Sequence, residues 1–248
     1  MARCAVFTLG RDERFHLPLW IGYYGQHFDP ADMYVLDHDS QDPQTLETLA
    51  AFPGNVRHLE HGLIFDHEWL LQTVMATQAE LLGRYEYVLF CDTDELIVPA
   101  EGTLREFIER ADRPEYRCSG YEVVEDHMYR VPFYDKTLLS WHPLVWEYGY
   151  HHAVDEPPAQ GDLFLYHIHR LNFAEAWDKN QRWQRYQFDP VAVANSYSVQ
   201  NQLTSLEEFR VWFYDTTGLL PFLGTAFGPL EPLDGRIRRE LAALGVEP

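Results

Sequence analysis

Residues 87–99 read YVLFCDTDELIVP, an apolar run that breaks into three acids, Asp92, Asp94 and Glu95, and then turns apolar again. Val88, Leu89, Phe90 and Cys91 form the short continuous apolar stretch expected of a strand buried on both faces. Buried carboxylates at its end require partners or a metal, because an unpaired buried charge is strongly disfavoured. Acids one residue apart at a strand end can both turn toward one hard cation, the oxygen-rich arrangement that Mg2+ or Mn2+ prefers. The alternative is an acidic strand end facing solvent.

The residues before this segment alternate strand and helix signals. Strands are predicted over Cys4–Leu9, over Met33–Leu36 and near Val56. Helical spacing covers Leu17–Phe28, Leu46–Phe52 and, most strongly, Asp66–Gly83, with Leu70, Val74, Thr77 and Leu81 on one face and Gly83 as a stop. Such β-α alternation implies a mainly parallel central sheet flanked by helices, whose ligands gather beyond the carboxyl ends of the strands. The polar clusters at 10–14, 37–42 and 92–95 all fall at those ends. Further along, a helix is expected over Thr103–Ala111, strands over Tyr121–Val124, Thr137–Trp141 and Leu163–Ile168, and a helix over Asn172–Arg185. Two parts follow: residues 1–186 as the catalytic α/β unit, and 187–248 as an aromatic-rich helical extension that either docks a ligand or partner or packs back on the first part.

The balance of 19 basic against 39 acidic residues gives a formal net charge of −20. That argues against nucleic acid or an anionic membrane as partner, since both reward clusters of Lys and Arg. An odd count of three cysteines without CxxC spacing fits a reducing compartment, and Cys4 and Cys91 read as small core residues. The sequence has neither an apolar stretch of membrane-spanning length nor a signal-peptide pattern, so a cytoplasmic protein without a transmembrane segment is expected.

A second constellation lies in Tyr166-His167-Ile168-His169-Arg170. Residues two apart in a strand share a face, so His167 and His169 can point the same way, and imidazole can complete a divalent site begun by carboxylates. A structural role for either histidine is the competing reading.

With these residues in hand, the chain resembles bacterial glycosyltransferase family 2-like proteins, a branch of the GT-A fold enzymes that use nucleotide-sugar donors. The resemblance rests on Arg11-Asp12-Glu13 with Trp20-Ile21, Tyr34 to Asp37 with Ser40 and Asp42, Tyr87 to Pro99, Tyr134-Asp135-Lys136, Gly149-Tyr150-His151 and Leu165-Tyr166-His167, in that order. It implies a nucleotide-diphospho-sugar transferase fold and a metal-dependent, inverting transfer to a glycan or lipid-linked acceptor in polysaccharide biosynthesis. Asp37 would contact the base or ribose. Asp92 and Asp94 would hold Mn2+ or Mg2+ against the donor diphosphate, and His167 would close the metal site. Residues 37–40 read Asp-His-Asp-Ser where many relatives have Asp-Asp-Gly-Ser, which leaves His38 and Asp39 without a carried-over role.

Chemistry suggests the remaining roles. Arg11, at the first strand end, and Lys136 are candidates for the donor phosphates. Asp126 is the candidate general base, and Glu95 supports the metal motif. His151 would line the donor or acceptor side, and Trp141, Trp146, Tyr148 and Tyr150 could stack on sugar rings. Two other classes use similar residues: a metal-dependent nucleotidyltransferase or phosphohydrolase, and a non-catalytic carbohydrate-binding relative.

Overall fold

The computed structural model describes residues 3–147, 150–195, 199–215 and 228–247. From the N-terminus the elements are β1 (Cys4–Gly10), α1 (His16–Tyr24), β2 (Met33–Asp37), α2 (Pro43–Ala51), β3 (Asn55–His58) and β4 (Leu63–Ile64). Then come α3 (His67–Leu82), β5 (Tyr87–Phe90), β6 (Glu95–Pro99), α4 (Leu104–Arg110), β7 (Glu115–Arg117), β8 (Ser119–Val124) and β9 (His127–Arg130). The chain continues through β10 (Thr137–Ser140), β11 (Leu163–Arg170), α5 (Phe173–Trp183), β12 (Gln187–Phe188) and α6 (Pro190–Ala194). Last are α7 (Leu206–Tyr214), β13 (Glu231–Pro232) and α8 (Gly235–Ala243).

The helices start where the sequence supplies caps. Asp66 accepts from the Trp69 amide at the head of α3, and Thr103 with Glu106 forms a reciprocal capping box on α4. On α3 the buried positions are Val74, Thr77, Gln78 and Leu81, close to the expected face.

The central sheet has the order β3-β2-β1-β5-β10-β7. Strands β3, β2, β1 and β5 are parallel, while β10 and β7 extend the sheet antiparallel to their neighbours. The mixed α/β architecture expected from the sequence is therefore present, with an antiparallel margin on one side. A second sheet, β13-β9-β8-β11-β6, was not apparent from the sequence. Strand β6 follows β5 after four residues that turn, so the chain leaves the first sheet and enters the second at Cys91–Asp94. The acidic segment is thus the seam between the two sheets.

Helix α1 backs this seam. Trp20 donates to Cys91 Sγ at 3.2 Å, and Tyr23 and Tyr24 donate from their hydroxyls to the carbonyls of Ile97 and Glu95. All three cysteines are buried and free. The Cα trace of β8 is crossed closely by residues 132–134: a Cβ on Gly120 would stand 2.3 Å from the Tyr134 carbonyl oxygen, so only glycine fits there.

The C-terminal elements pack back. Phe209 and Phe213 of α7 are fully buried against Val124, Tyr129, Val131 and Ala176, and Ile237 and Leu241 of α8 join the main core. Strands β12 and β13 pair with β4 and β9. Among the described residues, no helix is long and apolar enough to cross a membrane.

Candidate active site

Where β5 ends, the four-residue turn carries Asp92 and Asp94 in different directions. The Asp94 carbonyl accepts from the Ile168 amide at 2.8 Å, which fixes β11 beside the turn. The Asp94 carboxylate then meets His169 Nδ1 at 3.1 Å, His167 Nε2 at 3.7 Å and Lys179 Nζ at 3.5 Å. Asp94, His167 and His169 each offer a ligand atom, all within 4.8 Å of one another. The two imidazoles stack with centroids 5.8 Å apart, and His16 continues the stack beyond His169 at 6.0 Å.

Electrostatics follow from burial and these neighbours. Burial opposes charge on Asp94, but Lys179 and His167 outweigh it and hold the carboxyl well below the ordinary range. Burial likewise opposes charge on His167, yet Glu122 and Asp94 raise it to about 9. His169 goes the other way, lowered by burial to about 4 despite its bond to Asp94. Lys179 is itself buried in α5 and pairs with Glu13 at 2.6 Å, and Glu13 also meets His16 Nδ1 at 3.3 Å.

Asp92 turns toward Lys136 instead. Strand β10 runs antiparallel to β5, so Lys136, just before β10, arrives at the carboxyl end of β5. Its Nζ donates to Glu95 at 2.6 Å and to Asp92 at 3.2 Å, while the Asp92 amide donates to the other Glu95 oxygen. Burial pushes the Asp92 carboxyl up to about 7, with Glu95 and Asp94 adding and Lys136 opposing, although 31% of the side chain remains exposed.

These groups surround a cavity of about 250 Å3 that opens beyond the carboxyl ends of β1, β2 and β5. Of the residues singled out in the sequence, Arg11, Asp92, Asp94, Glu95, Lys136, Tyr150, His151, His167 and His169 line it. Arg11 lies over the Tyr186 ring at 3.9 Å and donates to the His61 carbonyl. His151 packs 4.0 Å from Phe133, its Nδ1 is buried without a partner, and burial holds its pKa well below the usual imidazole value.

Asp37 and Asp126 lie outside the cavity lining, as do Trp141 and Trp146. Asp37 accepts from the Ser40 amide and from His58 Nδ1 at 2.8 Å, closing its own turn. Asp126 sits in the tight turn between β8 and β9, where Glu125 takes a positive φ of 51°; it is 61% exposed and bonded to His127. Of the aromatics, Trp146 and Tyr150 pack against Phe90, Trp141 is largely exposed beside Tyr87, and Tyr148 lies outside the described residues. Lys179 carries no motif in the sequence, and Glu13 stands there only within the Arg11-Asp12-Glu13 segment. The signal for Lys179 was faint: a lysine on the same face of α5 as Ala176 and Asn180, all three buried.

No known family profile matches this sequence, and no curated protein matches it. Among solved structures, it is similar to glucosyl-3-phosphoglycerate synthase from Mycobacterium tuberculosis in complex with Mg2+ and uridine diphosphate. That match has 19% identity and a TM-score of 0.28, and covers 38% of this chain and 34% of that one. The glycosyltransferase GlyE of Streptococcus pneumoniae is similar at 16% identity and a TM-score of 0.28, over 48% of this chain and 30% of that one. A Bacillus anthracis protein named as a glucose-1-phosphate thymidylyltransferase, in complex with a sucrose, matches at 11% identity and a TM-score of 0.33, over 84% of this chain and 98% of that one. The chain thus spans about a third of the length of the mycobacterial synthase. At these scores the likenesses decide nothing about chemistry, which has to come from the side chains.

Proposed function

We propose that the protein transfers a sugar from a nucleotide-sugar donor to a glycan or lipid-linked acceptor, with inversion at the sugar, using a divalent metal held by Asp94, His167 and His169. The observation that carries this reading is the convergence of one carboxylate and two imidazoles on a cavity at the carboxyl ends of parallel strands. The donor set fits a divalent ion. Its two nitrogens make Mn2+ a better match than Mg2+, which favours oxygen ligands and near-ideal octahedral geometry.

When bound, the metal supplies Lewis-acid stabilisation of the charge that develops on a departing nucleoside diphosphate. The chain's own residues do the rest. Lys179, paired with Glu13 and Asp94, and Arg11 would provide cationic groups on the same cavity wall for phosphate oxygens. Asp92 stays with Lys136 and Glu95 and holds the turn in shape. His151, kept neutral by burial, has an unpaired Nδ1 to share with a ligand hydroxyl.

Calorimetric titration with UDP, GDP, ADP and CDP, each with and without Mn2+, tests this reading. One diphosphate binding only with the metal supports it and names the donor's nucleotide; binding by none of them rejects it.

A second reading draws on the same trio. Two imidazoles and a carboxylate also suit a metal that activates water, as in hydrolases. Release of sugar or phosphate to water at the same rate with and without acceptor would favour that alternative.

A further inference from the structure

His167 uses both ring nitrogens. Nε2 faces Asp94, and Nδ1 lies 2.9 Å from Glu122 Oε2. Glu122 is buried in β8, which runs parallel to β11 with Glu122 directly opposite His167. Its other oxygen, Oε1, stands 3.4 Å from Nε of Arg170, also buried. Arg170 then reaches α7: Nη1 donates to the carbonyls of Trp212, Phe213 and Asp215 at 3.2, 2.8 and 3.1 Å. These carbonyls lie at the carboxyl end of a helix, where a cation is favoured and the last acceptors need donors. The remaining guanidinium nitrogen bonds the Tyr129 hydroxyl.

The same helix touches the second imidazole. The Trp212 ring stands edge-on to His169 at 5.6 Å and lies 5.4 Å from the Arg170 guanidinium. Phe209 and Phe213 anchor α7 in a satellite core with Ala176 of α5, the helix that also carries Lys179.

We propose that Glu122 and Arg170 are positioning residues that tie the carboxyl end of α7 to the metal-holding histidines, so that the C-terminal region completes the site. This rests on the metal reading given above. The chemistry is the familiar one in which a carboxylate accepts a hydrogen bond from the Nδ1–H of a histidine, fixes its tautomer and ring orientation, and leaves Nε2 for the metal. Arg170 keeps that carboxylate aimed, with its Nε 3.4 Å from Glu122 Oε1. Its planar fork spans Glu122 and three helix carbonyls at once, which the point charge of lysine cannot do. A purely structural ion pair would need neither the contact to His167 nor the edge of Trp212 on His169.

The test is Mn2+ affinity, by calorimetry, of the full chain and of Glu122→Gln, Arg170→Lys and Trp212→Leu, with circular dichroism confirming each fold. Glu122→Gln and Arg170→Lys are expected to bind Mn2+ about 10- to 100-fold more weakly than the parent. Trp212→Leu, which removes no buried charge and serves if either of the others fails to fold, is expected to lose several-fold. Parent-like affinity in folded Glu122→Gln or Arg170→Lys overturns the positioning role, and parent-like affinity in Trp212→Leu overturns the part played by α7. Failure of the metal reading is recognised separately, because the parent protein itself would then bind no Mn2+.

Discussion

His169 presents Nδ1 to Asp94 Oδ2 at 3.1 Å across 75 positions of sequence, and the amide one residue earlier in β11 bonds the Asp94 main chain. The candidate site is therefore made by docking β11 onto the turn that joins two sheets. Its geometry depends on strand pairing as much as on the acids themselves.

Removal of any one of Asp94, His167 and His169 should cost metal affinity. Each alanine variant is expected to bind Mn2+ at least about 100-fold more weakly, more than a change in the supporting residues brings. Asp126→Asn, by contrast, should match the parent, since Asp126 is exposed and outside the cavity. Equal affinities across all four variants would contradict the assignment.

Lys136 reads differently in sequence and in structure. Buried between Glu95 and Asp92, it neutralises two acids, so Lys136→Met should destabilise the fold by about 3–5 kcal/mol in urea denaturation. If Lys136 served chiefly as a phosphate-binding charge, stability would be unchanged and donor affinity alone would drop.

His38 gives the protein an acid sensitivity. Burial, with Arg11 adding, lowers its pKa from the ordinary 6.5 to about 4. Because the folded value is depressed, the fold favours the neutral ring. The stability linked to it is complete above pH 6.5 and is lost as pH falls toward 4. Relative to His38→Gln, the parent should lose up to roughly 3 kcal/mol over that window, measured as the difference in urea midpoints. A pH-independent difference would refute this.

Gly120→Ala would drive a Cβ into the Tyr134 main chain. Because backbone cannot yield as a flexible side chain does, a loss of about 1–3 kcal/mol or more is expected, along with disturbance of Tyr134 on the cavity wall. A melting temperature like the parent's would show that the crossing has room to move.

Much of this was legible in sequence because local patterns matched long-range pairing. The apolar runs at Val6, Val35 and Leu89 became neighbouring parallel strands, and their polar ends met at one cavity. The two-residue spacing of His167 and His169 put both on Asp94, as a strand dictates. The same rule failed for Asp92 and Asp94 because residues 91–94 turn and are not extended, so alternation no longer applies and the two acids part. The second sheet stayed hidden since β8 and β9 form a hairpin turned by Glu125 at positive φ, with no glycine in the turn to mark it. Lys179 and Glu13 meet only through the packing of α5 against the residues just after β1, where Arg182 and Trp183 donate to the Asp12 and Arg11 carbonyls, which no local pattern announces.

A crystal soaked with Mn2+ and measured at an anomalous wavelength would show whether Asp94, His167 and His169 hold the ion. One strong peak is expected within about 2.3 Å of Asp94, His167 and His169, with Glu122 still bonded to His167 Nδ1. A peak bound by Asp92 and Asp94 without the histidines, or no peak at all in the cavity, would contradict it.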